Sequence, residues 1–459
     1  MRVLAALGIG LVALGGCAST PRVSATVGQA SVAERPQVVG SRGALSSAQV
    51  KALTARLTIA PGDNALLLRH MAVEQVVAES PVVAGETTHL LRDGEATFRA
   101  MFAAIRSAKR HINLEYFIFE DVESDGVSLG DLLLAKRQEG VAVNVIYDSF
   151  GSSDTPKAFL ERLKAGGVNV VEFNPMNPLK SKKAYSLNDR DHRKILVVDG
   201  ATAIVGGVNL STTYQVHPSG KSGSPPGRPA AHWRDTDLEI TGPAVARLQT
   251  LFFDHWREQH GPALADLGWF PALTPTGGAA VRIIGSSPDR DTPRYYVTVI
   301  SAIRSAEKSV TASAAYFVPT RDEMDALTEA ARRGVDVRLL LPDKSDSPNS
   351  IALGHAHYAD LLEAGAKIYE THDLVLHSKT VVVDGVWSVV GSSNFDHRSV
   401  IFNDEVDAVV LGADTARELE AMFEDDRAAA SAIDRKAWSR RSLRDRAREI
   451  YARAWERWL

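Results

Sequence analysis

His377-Ser378-Lys379-Thr380-Val381-Val382-Val383-Asp384-Gly385 reads H-x-K, four residues, then D-G. The same order stands upstream as His192-Arg193-Lys194-Ile195-Leu196-Val197-Val198-Asp199-Gly200. Each copy runs through an apolar segment into a glycine-rich turn that ends in asparagine: Gly206-Gly207-Val208-Asn209 in the first, Gly391-Ser392-Ser393-Asn394 in the second. A motif repeated with its surroundings reads as one active site built from two halves of one polypeptide.

The residue types suit phosphate chemistry. Side chains alternate along a strand, so the histidine and lysine of H-x-K share a face. Imidazole is a nucleophile or a general acid near neutral pH. An ammonium neutralises non-bridging phosphate oxygens. Asn209, Ser392 and Asn394 offer neutral donors to the same phosphate. With two copies, one histidine attacks phosphorus while the other protonates the leaving alcohol and deprotonates the incoming one. This covalent route needs no metal and no cofactor. Symmetry leaves open whether His192 or His377 attacks, with His192 the preferred choice.

A nucleophilic imidazole also needs an acceptor for its other nitrogen. Glu405, in Asn403-Asp404-Glu405-Val406, is the candidate for the second half. In the first half, Trp233-Arg234-Asp235-Thr236-Asp237 offers two carboxylates. Counting back from Gly242 and Gly412 pairs Asp235 with Glu405. Asp199 and Asp384 complete the catalytic signature, yet each precedes glycine and also reads as a turn residue at a strand end. His355-Ala356-His357 lacks the carboxylate or cysteine spacing of a metal site.

Around the motifs, strands alternate with helices in two similar passes. The first pass predicts a strand over Thr88–Leu91, a helix over Glu95–Lys109, a strand over Ile112–Phe119, a helix over Leu129–Glu139 and a strand over Val141–Tyr147. A helix over Lys157–Ala165 and a strand over Val168–Phe173 complete it. The second pass repeats this from Tyr295–Ala306 to Ala366–Tyr369, with a helix over Tyr358–Ala364 before the last strand. The fold class is α/β, with an α/β layered sheet in each half. Expected domains are 48–260 and 279–434, joined by a Pro- and Gly-containing linker over 261–278. The Pro/Gly/Ser-rich insertion 218–229 reads as a solvated loop, with a gating lid as the alternative.

Of 459 residues, 45% are hydrophobic and 24% charged, ordinary for a chain with a real core, and the net charge of −4 gives no global basic field for nucleic acid. Cys17 is the only cysteine, which excludes an internal disulfide. Arg2 and the apolar run Val3–Leu14 precede Gly15-Gly16-Cys17, the layout of an export signal. Leu14-Gly15-Gly16-Cys17 resembles a bacterial lipobox, so residues 1–17 are expected to be a lipoprotein-type leader with Cys17 acylated. Residues 18–47 then read as a flexible tether. The expected location is the periplasmic side of a bacterial membrane, with Ala18 after the cysteine favouring the outer one. Residues 435–459 carry a basic face and an apolar face with Trp455 and Trp458, and predict a helix that lies on an anionic bilayer or packs on its own domain.

The duplicated motif resembles that of the phospholipase D superfamily. Within it, Trp233-Arg234-Asp235-Thr236, Tyr316-Phe317-Val318-Pro319 and Gly391-Ser392-Ser393-Asn394-Phe395-Asp396-His397-Arg398-Ser399 are most similar to bacterial cardiolipin synthases. The resemblance runs from about Leu90 to Arg444. It implies two similar α/β/α sandwich domains related by a pseudo-twofold axis, with the site between them. It implies phosphatidyl transfer from one phosphatidylglycerol to another through a phosphohistidine, with release of glycerol. The implied partners are phospholipid and a membrane surface, not nucleic acid; the oligomeric state stays open. Two features depart from the pattern. Ala315 replaces the usual proline before Tyr-Phe-x-Pro, and the leader replaces transmembrane helices. Alternatives are a phospholipase D that hydrolyses phospholipids, a metal-independent nuclease or phosphodiesterase, and a lipid-binding scaffold.

Overall fold

The computed structural model describes residues 36–60, 62–78, 80–177, 188–215, 232–288, 293–345, 347–372 and 374–442. The leader with Cys17, the insertion 218–229 and residues 443–459 lie outside them.

The two halves carry the same strand order. In the first, β1 (Val82–Arg92), β2 (His111–Tyr116), β3 (Ala142–Asp148), β4 (Asn169–Phe173), β5 (Lys194–Val198), β6 (Thr202–Gly206) and β7 (Thr236–Thr241) are ordered β4-β3-β2-β5-β6-β7-β1. In the second, β8 (Ala279–Ser286), β9 (Ser309–Ala314), β10 (Asp336–Pro342), β11 (Lys367–Thr371), β12 (Lys379–Val383), β13 (Trp387–Gly391) and β14 (Asn403–Leu411) are ordered β11-β10-β9-β12-β13-β14-β8. Three parallel strands thus precede the motif strand in each half, and antiparallel strands follow it. The parallel strands are joined by helical crossovers: α4 (Leu129–Gln138) and α5 (Lys157–Ala165) in the first half, α8 (Arg321–Arg332) and α9 (Pro348–Ala364) in the second. Leu129–Glu139 and Lys157–Ala165 are therefore helical where the periodicity predicts it. Gly140, with φ 89°, stands just past the first of these helices, where a side chain would be strained.

The motif strands sit at the centre, and alternation decides where their side chains go. Leu196 and Val198 enter the first-half core with Phe98, Phe102 and Leu133. Ile195 and Val197 face the other way, into a cluster shared with Val382, Val390 and Val406 of the second half. Both faces are covered, so the strand reads as a continuous apolar run. Burying each such side chain contributes roughly 1.5–3 kcal/mol.

The N-terminal third differs from the sequence expectation. The strand predicted over Thr88–Leu91 is the eleven-residue β1. Its first half was hidden because Gly85 and Glu86 interrupt the pattern. Glu86 is buried, and its Oε1 accepts from Ala244 N at 3.1 Å. β1 pairs with β7 through residues 87–92 and with β8 through Val83, Ala84 and Glu86, so one strand joins the two sheets. The tether does not extend to residue 47: Val38–Gly40 is a strand paired with Val82 and Val83. Helices α1 (Ser47–Leu57) and α2 (Asp63–Ala78) follow. Val50, Leu53, Leu66, Leu67 and Met71 pack with Ile300, Ile303 and Val383. A first domain beginning at residue 48 is therefore corrected, because that stretch belongs to the core of the second half. α2 escaped the periodicity because His70 and Glu74 are buried polar residues on it.

Candidate active site

The polypeptide leaves its own sheet at each histidine. β5 and β12 begin at Lys194 and Lys379, so the H-x-K histidines lie two residues ahead of their strands rather than within them. The reason is a backbone tie across the interface. His192 N donates to Asp404 O at 2.9 Å, next to the pairing of Arg190–Asp191 with Asn403–Asp404. His377 N donates to Arg234 O at 2.7 Å, next to the pairing of His232–Arg234 with Leu374–Leu376.

Those ties place each imidazole against a carboxylate of the opposite half. His192 Nδ1 lies 2.9 Å from Glu405 Oε2, and His377 Nδ1 lies 2.7 Å from Asp235 Oδ2. The sequence reading named both carboxylates but assigned each to the histidine of its own half; the arrangement is crossed. With Nδ1 held as the donor, Nε2 of each ring is the nitrogen left for substrate.

Both lysines are buried beside their histidines. Lys194 Nζ donates to His192 O at 2.6 Å and sits 5.4 Å from the Phe117 ring centre. Lys379 Nζ donates to His377 O and lies 2.9 Å from His377 Nδ1. The two pairs feel each other. Burial lowers His192 to about 4 and Lys194 to about 7; the Glu405 charge opposes both shifts, and the charge of Lys379 adds to both. His192 is thus a neutral nucleophile at physiological pH. Burial works against the ionised form of Glu405, but His192, Lys194 and its hydrogen bonds prevail and hold it below the usual carboxylate range.

The neutral donors divide. Asn394 lines the cleft in front of His192, and its Oδ1 is buried without a hydrogen-bond partner. Ser392 is turned elsewhere: its hydroxyl donates to Glu405 Oε2 at 2.5 Å and accepts from Val406 N at 2.9 Å. Asn209 Oδ1 accepts from Ile118 N at 3.2 Å. The expectation that Ser392 donates to phosphate is corrected, since Glu405 takes its hydroxyl proton. For Asp199 and Asp384 the turn reading holds and the catalytic one is corrected. They stand at the far ends of β5 and β12, with φ of 52° and 57°. Asp199 accepts from the backbone N–H of Lys109, Arg110 and His111 at 2.8–2.9 Å. Asp384 does the same for Glu307, Lys308 and Ser309 at 2.7–3.1 Å. Each closes a turn and contacts no reacting group.

Several site residues escaped the sequence reading. Tyr214 Oη is 2.9 Å from His377 Nδ1 and 3.3 Å from Asp235 Oδ2. Its counterpart at the motif offset (214 + 185 = 399) is Ser399, whose hydroxyl donates to Glu405 Oε1 at 2.9 Å. Asn403 Nδ2 adds a bond to the same oxygen at 3.1 Å. The offset between the H-x-K copies is the signal that could have found this pair. Beneath His192, Arg193 lies 3.4 Å from Glu115 and 3.6 Å from Asp404, and His255 lies 2.8 Å from Glu115 and 3.2 Å from Asp404. This buried charge network fastens the H-x-K of one half to the residue before Glu405 in the other.

Glycine is required where the turns approach the carboxylates. A Cβ on Gly207 would lie 2.9 Å from Asp235 Cγ, and one on Gly391 would lie 2.8 Å from Asp407 Cα. Asp237 and Asp407, paired with Gly206 and Gly391, are buried carboxyls pushed up to about 8 by desolvation.

A cleft of about 450 Å³ opens at His192. Phe117, Phe150, Met176 and Arg190 line it from the first half; Tyr316, Asn394 and Arg398 line it from the second. The Tyr316 ring centre is 5.9 Å from that of His377.

Comparison with known proteins gives the family. The family described as "Cardiolipin synthase, PLD-like domain" matches residues 101–217 and 299–427, one segment for each motif. The chain belongs to the cardiolipin synthase family of phospholipase D-like proteins. Cardiolipin synthase of Geobacillus kaustophilus is 35% identical over 401 residues, covering 87% of this chain and 76% of that protein. Cardiolipin synthase 1 of Bacillus anthracis is 32% identical over 390 residues, covering 83% and 74%. Among solved structures, phosphatidylserine synthase of Haemophilus influenzae superposes with a TM-score of 0.61 at 13% identity, covering 84% of this chain and 99% of that one, which supports the shared fold. Family membership accounts for the two α/β halves, and the crossed pairs lie at the junction between them.

Proposed function

We propose that this family member is a phosphatidyltransferase that forms cardiolipin from two phosphatidylglycerols. The carrying observation is the pair of imidazoles, each fixed through Nδ1 by a carboxylate of the opposite half. His192 Nε2 attacks the phosphorus of the first phosphatidylglycerol and forms a P–N bond. The P–O bond to glycerol breaks, and His377 Nε2 gives its proton to the departing oxygen. A hydroxyl of the second phosphatidylglycerol then loses its proton to His377, and its oxygen attacks phosphorus as the P–N bond breaks. Lys194 and Lys379 face the non-bridging oxygens, with Asn394 beside them. The low proton affinity of His192 supports its role as nucleophile. The sequence similarity to curated cardiolipin synthases supports the acceptor.

Incubation with labelled phosphatidylglycerol tests the reading. Cardiolipin and glycerol are the expected products; phosphatidic acid without cardiolipin would assign the intermediate to water. His192→Ala and His377→Ala should each abolish turnover.

The same proposal places the enzyme on a bacterial membrane, exported and acylated at Cys17. Support comes from the sequence Leu14-Gly15-Gly16-Cys17, which resembles a bacterial lipobox. Metabolic labelling with a radioactive fatty acid tests it: Cys17→Ser should lose the label.

A further inference from the structure

Four large apolar side chains among the described residues are well exposed: Ile59, Phe150, Met176 and Phe270. Two of them, Phe150 and Met176, stand on the wall of one cleft, the one that opens at His192. Their neighbourhood follows from strand register. β3 and β4 are parallel, and Asp148 pairs with Phe173 at their C-terminal ends. Phe150 follows the first strand end and Met176 the second, so both project from adjacent strand ends. Phe150 is 55% exposed and Met176 44%, values that a folded chain gives to large apolar groups at a cost in water.

A cationic group stands beside them. Arg398, half-buried, lines the cleft from the second half, whereas Arg190, 5.9 Å from the Phe150 ring centre, is buried and lies 3.7 Å from Asp148. Apolar tips ahead of the Arg398 guanidinium match the order of layers met on approaching an anionic bilayer: phosphates outside, acyl chains within.

We propose that the Phe150–Met176 edge is the surface by which the cleft docks on an anionic phospholipid bilayer. The two side chains enter the acyl region, and Arg398 meets lipid phosphates at the mouth. This rests on the lipid-substrate reading above, and it adds where and how the bilayer is met. A lipid drawn upward between these groups reaches His192 without its acyl chains crossing water.

The test uses the full chain carrying Cys17→Ser, so that an introduced thiol is the only one. Phe150→Cys, Met176→Cys and, as a control, Phe270→Cys are each labelled with an environment-sensitive fluorophore. Phe270 is equally exposed, at 53%, but does not line the cleft. Vesicles of phosphatidylcholine with added phosphatidylglycerol should raise emission severalfold, with a blue shift, at positions 150 and 176, and leave position 270 unchanged. Vesicles of phosphatidylcholine alone should give a weaker response. Labels that stay in water at positions 150 and 176, or an equal response at position 270, overturn the proposal. The readout counts no product. Insertion without cardiolipin formation would remove only the transfer reading, and cardiolipin formation without insertion would remove only the docking edge.

Discussion

Glu405 Oε2 lies 2.9 Å from His192 Nδ1, although the two residues belong to different halves and stand 213 residues apart in the chain. His377 and Asp235 repeat the relationship in reverse, at 2.7 Å. Each half therefore completes the other's imidazole. Glu405→Gln and Asp235→Asn should each lower kcat by about 10²–10⁴-fold, the scale for an acceptor that fixes a catalytic tautomer. Steady-state kinetics of each variant reads this.

The acidity of the site sets a pH window. His192 binds a proton as pH falls through about 4 and then cannot attack; Lys194 loses its proton as pH rises through about 7 and then cannot neutralise phosphate. The kcat/KM profile should therefore be bell-shaped between those values, since it reports the free enzyme. The upper limb of kcat should move to higher pH, because a bound phosphate anion favours protonated Lys194. Lys194→Arg should lower the rate and remove any upper limb due to this group.

Tyr214 and Ser399 occupy equivalent positions but serve the two histidines differently. Ser399 is one of three neutral groups on Glu405, whereas Tyr214 Oη reaches both Asp235 and His377. Tyr214→Phe removes a hydrogen bond and keeps the ring that packs on Trp233 at 5.3 Å. It should cut kcat by about tenfold with little change in KM, the scale of one lost hydrogen bond to a charged group. A KM effect of the same size would place the hydroxyl on the substrate instead.

Gly391→Ala should destabilise the fold by about 1–3 kcal/mol, because the new methyl group overpacks against Asp407. Gly385→Ala tests the alternative cause: it has open space but a φ of 65°, so its cost is backbone strain alone. Thermal melts of the two variants separate crowding from strain.

Asp407 makes stability depend on pH. Its folded value of about 8 lies above the unfolded carboxylate value of about 4, so the unfolded chain releases this proton first as pH rises. The stabilising contribution is complete below about pH 4, declines as pH rises from there, and is lost above about 8. Melting temperature should fall across that window, and Asp407→Asn should flatten the fall.

The repeat was legible because the motif words carry their own spacing, and α4 and α5 because apolar periodicity and Gly140 mark one of them and periodicity the other. The two orienting carboxylates were also legible as residues. Their exchange between halves was not, since backbone bonds such as His192 N to Asp404 O leave no trace in residue type. Ser392 was misassigned for a related reason. A hydroxyl beside a motif looks the same whether it serves a ligand or a neighbouring carboxylate. α2 stayed hidden because His70 bonds Asp384 at 3.3 Å inside the protein, where the pattern leads one to expect an apolar residue.

The exchange of carboxylates also bears on ancestry. A solitary half would hold a histidine lacking its acceptor and an acceptor lacking its histidine. Such a half becomes competent only by facing a second copy, so the reciprocal arrangement is what fusing two mutually dependent partners into one gene would leave behind.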